Sequence, residues 1–267
     1  MKIGILGAAG RMGSMLVRAV ADTTGVELGA AIEQAGSAHR GTDAGTRAGI
    51  APLGVAIDDD LDAALHKIDV LIDFTSPPAT AATAMLAATR GVALVIGTTG
   101  CGEAELAVVR GAAARVPVVM SSNMSLGVNV LFGLLRQAAA ALGEGFDAEI
   151  VELHHRLKKD SPSGTALSMA KELASVYNRD LGKVGRFGRE GLVGARTHDE
   201  IGVLAVRGGD VVGEHTAYFL GQGERLELTH QATSRETFAR GAVRAAQWVR
   251  GRPPRLYDMQ DVLGLPR

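Results

Sequence analysis

A glycine motif at the start of the chain constrains its fold more than any other feature. Lys2–Leu6 is a short apolar run that leads directly into a GxxGxxG motif beginning at Gly7. Apolar residues at helical spacing follow over residues 14–21, and a second apolar run covers residues 26–32. A strand, a glycine turn, a helix and a second strand in this order predict a βαβ unit.

The same glycine motif predicts a dinucleotide site. Glycines let the backbone approach a pyrophosphate, whose charge is favoured at a helix N-terminus. Glu33 ends the second predicted strand, where a carboxylate accepts hydrogen bonds from ribose hydroxyls. A glycine turn without a ligand is the alternative, and the position of the acid argues against it. Because a 2'-phosphate needs a nearby cation, the neutral Gln34 favours NADH, while Arg11 leaves NADPH open.

Strands and helices continue to alternate up to about residue 123. The predicted elements are a strand at 69–74, a helix at 79–90, a strand at 92–96, a helix at 103–115 and a strand at 116–120. The glycine- and alanine-rich span 35–54 is predicted as a loop or a poorly regular connection. Polar loops at 97–99 and 121–124 follow two of the strands, where the carboxyl ends of a doubly wound parallel sheet line a cofactor crevice. Ordinary turn chemistry explains the same residue types equally well.

The pattern changes after residue 124. The predicted elements are a helix at 126–142, a strand at 148–153, a helix at 163–177, strands at 201–206, 210–220 and 224–232, and a final helix at 234–250. Glycine turns at 208–210 and 221–223 separate the later strands and are typical of β-hairpins. This part of the chain is therefore predicted to be a second, α+β domain with a mixed or antiparallel sheet.

Composition excludes several kinds of partner. The net charge is -1 over 267 residues, so no global field favours nucleic acid or an anionic membrane. We expect no secretory signal and no apolar stretch of the roughly 18 residues that a membrane span needs. Cys101 is the only cysteine, which excludes an internal disulfide, favours the reducing cytoplasm, and is expected to be a bystander rather than a reactive thiol.

A cationic cluster lies between residues 154 and 165. His154 and Lys158 are four residues apart and would share a face on either a strand or a helix, whereas on a strand His155 would point the other way. Histidine is suited to proton transfer near neutral pH, and lysine supplies positive charge for an anionic substrate. Lys159 is expected to be a solvated surface charge.

A predicted helix start follows this cluster. The sequence SPSGT at residues 161–165 leads into the helix, whose first N–H groups and dipole favour an anion. Beside cationic side chains, such a start would hold a substrate with one or more carboxylates. A zinc site from His154, His155 and either His215 or His230 is the alternative, but neither cysteine pairs nor an HExxH pattern is present.

Together these motifs resemble the 4-hydroxy-tetrahydrodipicolinate reductase (dihydrodipicolinate reductase) family of the bacterial lysine and diaminopimelate pathway. The resemblance spans nearly the whole chain, and the HHxxK…PSGTA block is its most specific part. The matching blocks are GAAGRMG at 7–13, DFTSP at 73–77, GTTG at 97–100, SNMSLGVN at 122–129, ELHHRLKKDSPSGTAL at 152–167 and RGGDVVGEHT at 207–216.

The resemblance implies an α/β Rossmann domain over residues 1–124, a substrate-binding and oligomerisation α+β domain over 125–234, and a C-terminal helix and tail over 235–267 that return to the first domain. It implies a homotetramer built through the C-terminal sheets, with domain closure over substrate. The family reaction uses NADH or NADPH to reduce a cyclic dicarboxylate, 4-hydroxy-tetrahydrodipicolinate, to tetrahydrodipicolinate and water.

The resemblance also implies site residues. His154 matches a proton donor or acceptor, and Lys158 matches a proton donor. The positions matching substrate-binding residues are His155, Gly164 and Thr165. Those matching the cofactor site are Gly7, Ala8, Ala9, Gly10, Arg11, Met12, Glu33, Gly97, Thr98, Thr99, Ser121, Ser122, Asn123 and Met124. No metal ligand is implied. Many family members carry Arg where this chain has Gln34, and Leu157 and Lys159 also depart from the usual pattern.

Two further functions are compatible with the glycine motif. A non-catalytic dinucleotide sensor would need no proton donors, so the cluster at 154–165 argues against it. A dehydrogenase acting on an amino acid such as aspartate would use the same first domain, and a substrate panel would distinguish it.

Overall fold

A computed structural model describes residues 1–266 of the chain. Strands and helices alternate over the first 120 residues. In chain order they are β1 Lys2–Leu6, α1 Arg11–Ala21, β2 Glu27–Ile32, α2 Ala44–Ala48, β3 Ile57–Asp58, α3 Leu61–Leu65, β4 Val70–Asp73, α4 Pro77–Arg90, β5 Ala93–Ile96, α5 Glu103–Ala113 and β6 Val118–Met120.

Longer antiparallel strands appear in the remainder of the chain. In chain order the elements are α6 Leu126–Leu142, β7 Asp147–His154, α7 Gly164–Val176, α8 Leu181–Val184, β8 Gly185–Arg186, β9 Ile201–Arg207, β10 Gly213–Leu220, β11 Arg225–Ala232, α9 Glu236–Val249, β12 Leu256–Tyr257 and α10 Met259–Leu263.

Contacts divide the chain into two units. The first comprises residues 1–126 and 236–264, and the second comprises residues 127–235 and 265–266. Helix α9 therefore belongs to the first unit, where it packs against α1.

The first unit is a doubly wound parallel sheet, as predicted. Its strand order is β12-β6-β5-β4-β1-β2-β3, and each neighbouring pair is parallel. Every residue of β4 (VLID) and β5 (ALVI) is buried, as expected for central strands covered on both faces. Helices α1 and α9 share one core cluster with one face, while α4 and α5 share another with the opposite face. Since β1 lies between β2 and β4, the strand order reverses there, and such a switch point is where ligands bind.

The second unit contains a mixed sheet in the order β11-β10-β7-β9-β8, which confirms the predicted α+β domain. Strand β7 is parallel to β9 and antiparallel to β10. Alternate residues of β7 are buried, and this face packs with α6 and α7 in one core. The opposite face carries Val151 and Leu153, which are only half-buried.

The glycine turn at 208–210 does not form the hairpin that its sequence predicts. β9 and β10 both pair with β7, which lies between them. The turn instead donates and accepts backbone hydrogen bonds around the end of β7: the Gly208 N–H donates to the His154 carbonyl, and the Gly209 and Val211 carbonyls accept from Arg156 and His155. The turn at 221–223 does join the paired strands β10 and β11.

The span 35–54, predicted as a loop or a poorly regular connection, contains the five-residue helix α2, and Asp43 caps its start by accepting from the Thr46 N–H. The expectation that no apolar stretch is long enough for a membrane span was wrong. Residues Leu126–Gly145 form a helical segment that is long and apolar enough to cross a membrane by length and composition. The core of the second unit explains part of this apolarity, since Leu131 and Leu135 of the segment are buried there.

Candidate active site

The glycine loop after β1 is shaped for close approach of a ligand. Gly7 has φ +73°, a region that favours glycine, and a Cβ on Gly13 would lie 2.1 Å from the Gly7 carbonyl oxygen. Helix α1 begins directly after Gly10 with no side-chain cap, so its first N–H groups face the loop. Glu33 Oε1 accepts a hydrogen bond of 2.9 Å from the Ala9 N–H. These residues fit a dinucleotide, because they leave a bare helix start for the pyrophosphate and a carboxylate beside it.

A buried hydroxyl network shapes the loop after β5. The carboxylate of Asp73, 1% exposed, accepts from the Thr80 hydroxyl at 2.7 Å, and the Thr80 and Thr98 hydroxyl oxygens lie 2.8 Å apart. The Thr75 N–H donates to both Asp73 and Thr98. Asp73 therefore joins the ends of β4 and β5 and fixes Thr98, whereas Thr99 is exposed.

The loop after β6 is held by α9. A Cβ on Gly241 of α9 would lie 1.7 Å from the Met124 carbonyl oxygen, so the helix needs glycine there to pack against the loop. Ser121 donates to the Asn123 carbonyl, Met124 is buried, and Ser122 is exposed. All fourteen residues predicted for the cofactor thus follow the carboxyl ends of β1, β2, β5 and β6 in one sheet.

Glu152 is the centre of the polar cluster in the second unit. It is fully buried on β7, and its carboxylate accepts two hydrogen bonds of 2.8 Å from the Arg207 guanidinium. It also contacts His154 Nδ1 at 2.6 Å and accepts from the Ser163 N–H at 2.9 Å. Burial acts to raise the pKa of Glu152, but the hydrogen bonds from Arg207, His154 and Ser163 outweigh it and leave the pKa lowered.

His154 and His215 lie together on the buried face of the sheet. Their rings meet edge to face with centroids 5.1 Å apart, and His215 Nε2 lies 3.0 Å from the Ser163 hydroxyl. Burial lowers the pKa of His154, although the hydrogen bond and the charge of Glu152 partly oppose it. Burial also lowers the pKa of His215, to about 4. Both imidazoles are therefore neutral near pH 7.

Lys158 reaches the cluster by a turn and not along a strand. β7 ends at His154, and the Lys158 N–H donates to the His155 carbonyl, so the predicted shared strand or helix face does not exist. The strand ends there because the Gly208 turn occupies the backbone groups beside it. The Lys158 ammonium lies 3.0 Å from Asp160 Oδ1, and its charge contributes to lowering the pKa of His154. Lys159 is exposed, as expected.

The predicted substrate-binding residues lie at two places around the cluster. Gly164 and Thr165 open the 13-residue helix α7, whose N-cap Ser163 accepts from the Ala166 N–H. His155 follows the last residue of β7, and its Nε2 lies 3.3 Å from the Arg235 guanidinium. The exposed Arg235 thus adds a cation next to His155.

Sequence reasoning missed several polar residues of this cluster, namely Glu152, Ser163, Arg207, His215 as a non-metal residue, and Arg235. For Glu152 a signal was available, since it precedes His154 by two positions on a strand and must share its face. Arg207 and His215 come from neighbouring strands, and only the sheet order brings them to β7. Within residues 1–266, no group of three His, Cys, Asp or Glu side chains is arranged to hold a metal ion.

Comparison with known families covers nearly the whole chain. A family model described as dihydrodipicolinate reductase, N-terminus, matches residues 1–124, and one described as dihydrodipicolinate reductase, C-terminus, matches residues 127–263. Among curated relatives, the 4-hydroxy-tetrahydrodipicolinate reductase of Anaeromyxobacter sp. (strain Fw109-5) is 58% identical, covering 98% of this chain and 97% of that protein. The protein of the same name from Citrifermentans bemidjiense is 53% identical, with 99% of each chain covered.

Solved structures agree with these sequence comparisons. A structure described as dipicolinate-bound dihydrodipicolinate reductase from Paenisporosarcina sp. TG-14 matches with a TM-score of 0.79 and 26% identity, over 98% of each chain. An amine dehydrogenase from Mycobacterium smegmatis matches with a TM-score of 0.62 at 13% identity, covering 99% of this chain and 96% of that one, which shows a shared fold alone.

Proposed function

This chain belongs to the dihydrodipicolinate reductase family, and from that premise we propose that His154 and Lys158 serve its reaction as proton-handling groups. The activity is the NAD(P)H-dependent reduction of 4-hydroxy-tetrahydrodipicolinate in lysine and diaminopimelate biosynthesis. One observation supports the residue assignment most strongly: a neutral histidine and the start of α7 share one buried carboxylate, and the charge of Lys158 acts on that histidine.

The reaction consumes the 4-hydroxy substrate, NAD(P)H and a proton, and yields tetrahydrodipicolinate, NAD(P)⁺ and water. The reduced nicotinamide, when bound, supplies the hydride. Its pyrophosphate would be held by Gly7–Met12, its ribose by Glu33, and its nicotinamide end by the loops at 97–99 and 121–124. The chain must then bind the substrate's two carboxylates and provide protons while water leaves.

The substrate carboxylates are assigned to two positions of the second unit. The start of α7 at Gly164 and Thr165 offers N–H groups and the positive end of a helix dipole. His155 with the neighbouring Arg235 offers a second cationic position. Two anion-binding positions suit a dicarboxylate, and dipicolinate, which the Paenisporosarcina relative binds, would occupy them here as a competitive ligand.

Proton transfer is assigned to Lys158 and His154. The Lys158 ammonium carries a transferable proton and is held by the mostly exposed Asp160, so it can move toward substrate without breaking a buried contact. His154 is neutral near pH 7 and has one nitrogen available to accept a proton or a hydrogen bond. Positive charge from Lys158 would also stabilise negative charge that develops on the ring.

Acceptance of NADH is favoured by the surroundings of Glu33. Its carboxylate would repel a 2'-phosphate, and the neutral Gln34 follows it. Arg40, the next cation along the chain, is paired with Asp58 and Asp59. Arg11, exposed at the start of α1, leaves NADPH as a second cofactor.

The chain is further proposed to act in the cytoplasm as a homotetramer, without nucleic acid or membrane partners. The single cysteine and the net charge of -1 support this setting. Residues 1–124 are proposed to bind the dinucleotide, residues 125–234 to bind substrate and form the assembly, and residues 235–267 to complete the first domain. Assembly is assigned to the outward face of the mixed sheet, which is the face opposite α6 and α7. The half-buried Val151 and Leu153 and the exposed Val206 on that face support this assignment.

A coupled assay tests the function directly. Purified wild-type protein is mixed with NADH or NADPH and with substrate generated in situ by its synthase, and nucleotide oxidation is followed by absorbance. We expect oxidation of both nucleotides, a lower KM for NADH, and competitive inhibition by dipicolinate. Tight nucleotide binding without oxidation would support the sensor, and oxidation linked to aspartate chemistry would support the amino-acid dehydrogenase.

A further inference from the structure

Glu152 has no role in the reaction as described so far, although it is the most highly connected polar side chain of the site. It is fully buried, and its carboxylate contacts Arg207 twice, His154 Nδ1 and the Ser163 N–H. A buried carboxylate costs free energy unless it is paired, and Arg207 supplies that pairing. The pairing by itself does not require a histidine as a further partner.

The contact with His154 fixes which imidazole nitrogen bears the proton. The distance from Nδ1 to Glu152 Oε2 is 2.6 Å, a charge-assisted hydrogen bond. Because an ionised carboxylate only accepts, Nδ1 must donate. In neutral His154 the other nitrogen, Nε2, then holds a lone pair.

Gly213 lies beside that second nitrogen. A Cβ at Gly213 would lie 2.9 Å from His154 Nε2, closer than ordinary packing allows. The residue opposite the histidine edge is therefore one without a side chain. Glu152 also accepts from the Ser163 N–H, so one carboxylate sets both the imidazole and the start of α7.

We propose that Glu152 is a positioning residue, which holds His154 in the Nδ1–H tautomer and directs Nε2 at the substrate. Arg207 keeps Glu152 ionised so that it always accepts from His154. The inference rests on the proposed function, because it assigns His154 to the substrate site. Glu152 itself does not touch substrate.

The charged and titratable groups that face His154 come from several elements. They are Glu152 on β7, Lys158 in the following turn, Arg207 on β9 and His215 on β10. Of these, only Glu152 acts to raise the pKa of His154. Removing its charge leaves the cations, which disfavour protonated imidazole.

The first test substitutes Glu152→Gln and measures turnover against pH. We expect kcat to fall about 10²- to 10⁴-fold, the scale seen when a functional histidine loses the carboxylate that sets its tautomer. The pH-profile limb that belongs to His154 should move to lower pH, and Glu152→Asp, which keeps an ionised acceptor, should recover part of the turnover. Turnover and a limb position equal to wild type in Glu152→Gln would overturn the proposal.

Glu149→Gln is a matched control. Glu149 lies on the same strand but on the opposite face, and it accepts two hydrogen bonds from Arg189 and one from Arg196. Its loss also breaks a carboxylate–arginine pair, so it should lower thermal stability. It should leave the pH limb and the His154 tautomer unchanged, and a shifted limb in this control would also count against the proposal.

The second test needs no substitution. Nitrogen-15 spectra of protein labelled at its seven histidines, assigned by comparison with His154→Asn, report which nitrogen of His154 carries the proton. A protonated Nδ1 supports the proposal, and a protonated Nε2 overturns it even if Glu152→Gln fails to fold. This spectrum does not depend on turnover. If the wild-type protein oxidised no nucleotide, that result would contradict the proposed function, and the spectrum would still test whether Glu152 sets the tautomer of His154.

Gly213→Ala tests access to His154 Nε2 separately from the tautomer of His154. The added methyl group would cover Nε2 while leaving the Glu152 contact intact. We expect lower kcat with an unchanged Nδ1–H signal, whereas undiminished turnover would contradict the assignment of Nε2 as the substrate-facing nitrogen.

Discussion

Adjacent residues after β7 have different surroundings, and this separates their expected roles. Lys158 is 20% exposed at its side chain and pairs with Asp160, whereas Lys159 is exposed and has no assigned role. We expect His154→Ala and Lys158→Ala each to lower kcat about 10²- to 10⁴-fold, since each would remove one of the two groups proposed to handle protons. Steady-state kinetics with in-situ substrate measures this, and Lys159→Ala is the matched control. Near-normal turnover in both site variants would exclude the proton-transfer assignment.

His215 should make stability depend on pH. Its folded-state pKa of about 4 lies below the ordinary value of 6.5, so the unfolded chain binds more protons between these values. The free energy of unfolding should therefore decrease as pH falls from about 6.5 to about 4, by on the order of 2–3 kcal/mol from this residue. Urea denaturation at several pH values measures the slope.

The control for His215 is another histidine. His215→Asn should flatten the slope in that window, and His198→Asn should not, because His198 is more than half exposed. An unchanged slope in His215→Asn would mean that other groups cause the acid sensitivity.

At this scale the sequence predicts residue types better than their partners. The histidines, Lys158 and the glycine at the start of α7 were predicted because each is a recognisable type at a recognisable spacing. The partners Arg207 and His215 could not be found, because they are more than 50 residues from β7 and meet it only through strand pairing.

Among elements, the glycine turn between β1 and α1 leaves no room for a side chain at Gly13. A methyl group at Gly13 would lie 2.1 Å from the Gly7 carbonyl oxygen, and backbone cannot yield as a side chain does. Gly13→Ala should lower the free energy of unfolding by about 1–3 kcal/mol and weaken NADH binding. Chemical denaturation and nucleotide titration measure the two effects.

Gly111→Ala is the control for Gly13→Ala. It lies in the exposed part of α5 with nothing within 4 Å of an added Cβ. Gly111→Ala should raise stability by about 1 kcal/mol and leave NADH binding unchanged, because alanine is the better helix former. Equal behaviour of the two variants would contradict the close-approach role of Gly13.

Helices and strands were predicted well where the periodic run of apolar residues is long. Strand pairing was predicted wrongly where the partners are distant in sequence. Helix α6 was predicted to its ends and β7 to within one residue at each end. The supposed hairpin between β9 and β10 was wrong, because a glycine turn marks a reversal but not which strand lies in between. Two-residue strands such as β3 and β12 contain too few residues for an alternating pattern to be detected.

For the whole molecule, we predict that the homotetramer assembles through the outward face of the mixed sheet. Val151 is central on that face, opposite Thr216 on β10 and Leu204 on β9. Wild type should sediment with four times the chain mass of 27.7 kDa, and Val151→Arg should reduce that mass by placing a charge in the interface. Sedimentation velocity measures it.

Met85→Arg is the control for assembly. Met85 is 62% exposed on α4, which belongs to the first unit. It should keep the wild-type mass, and a monomeric wild type would contradict the tetramer outright.

Successive residues of β7 point to opposite faces of the sheet, and the two faces have different proposed roles. Glu152 and His154 point to the buried cluster, while Glu149 and Val151 point outward. Since facing depends only on whether a position is odd or even in the strand, a single-codon insertion or deletion before Glu152 would exchange the two sets. The histidine would then meet solvent and the valine the substrate. This stretch of the gene should therefore accept many replacements but almost no change in length, and an insertion scan of residues 147–154 should show a gap in tolerated positions that a substitution scan does not.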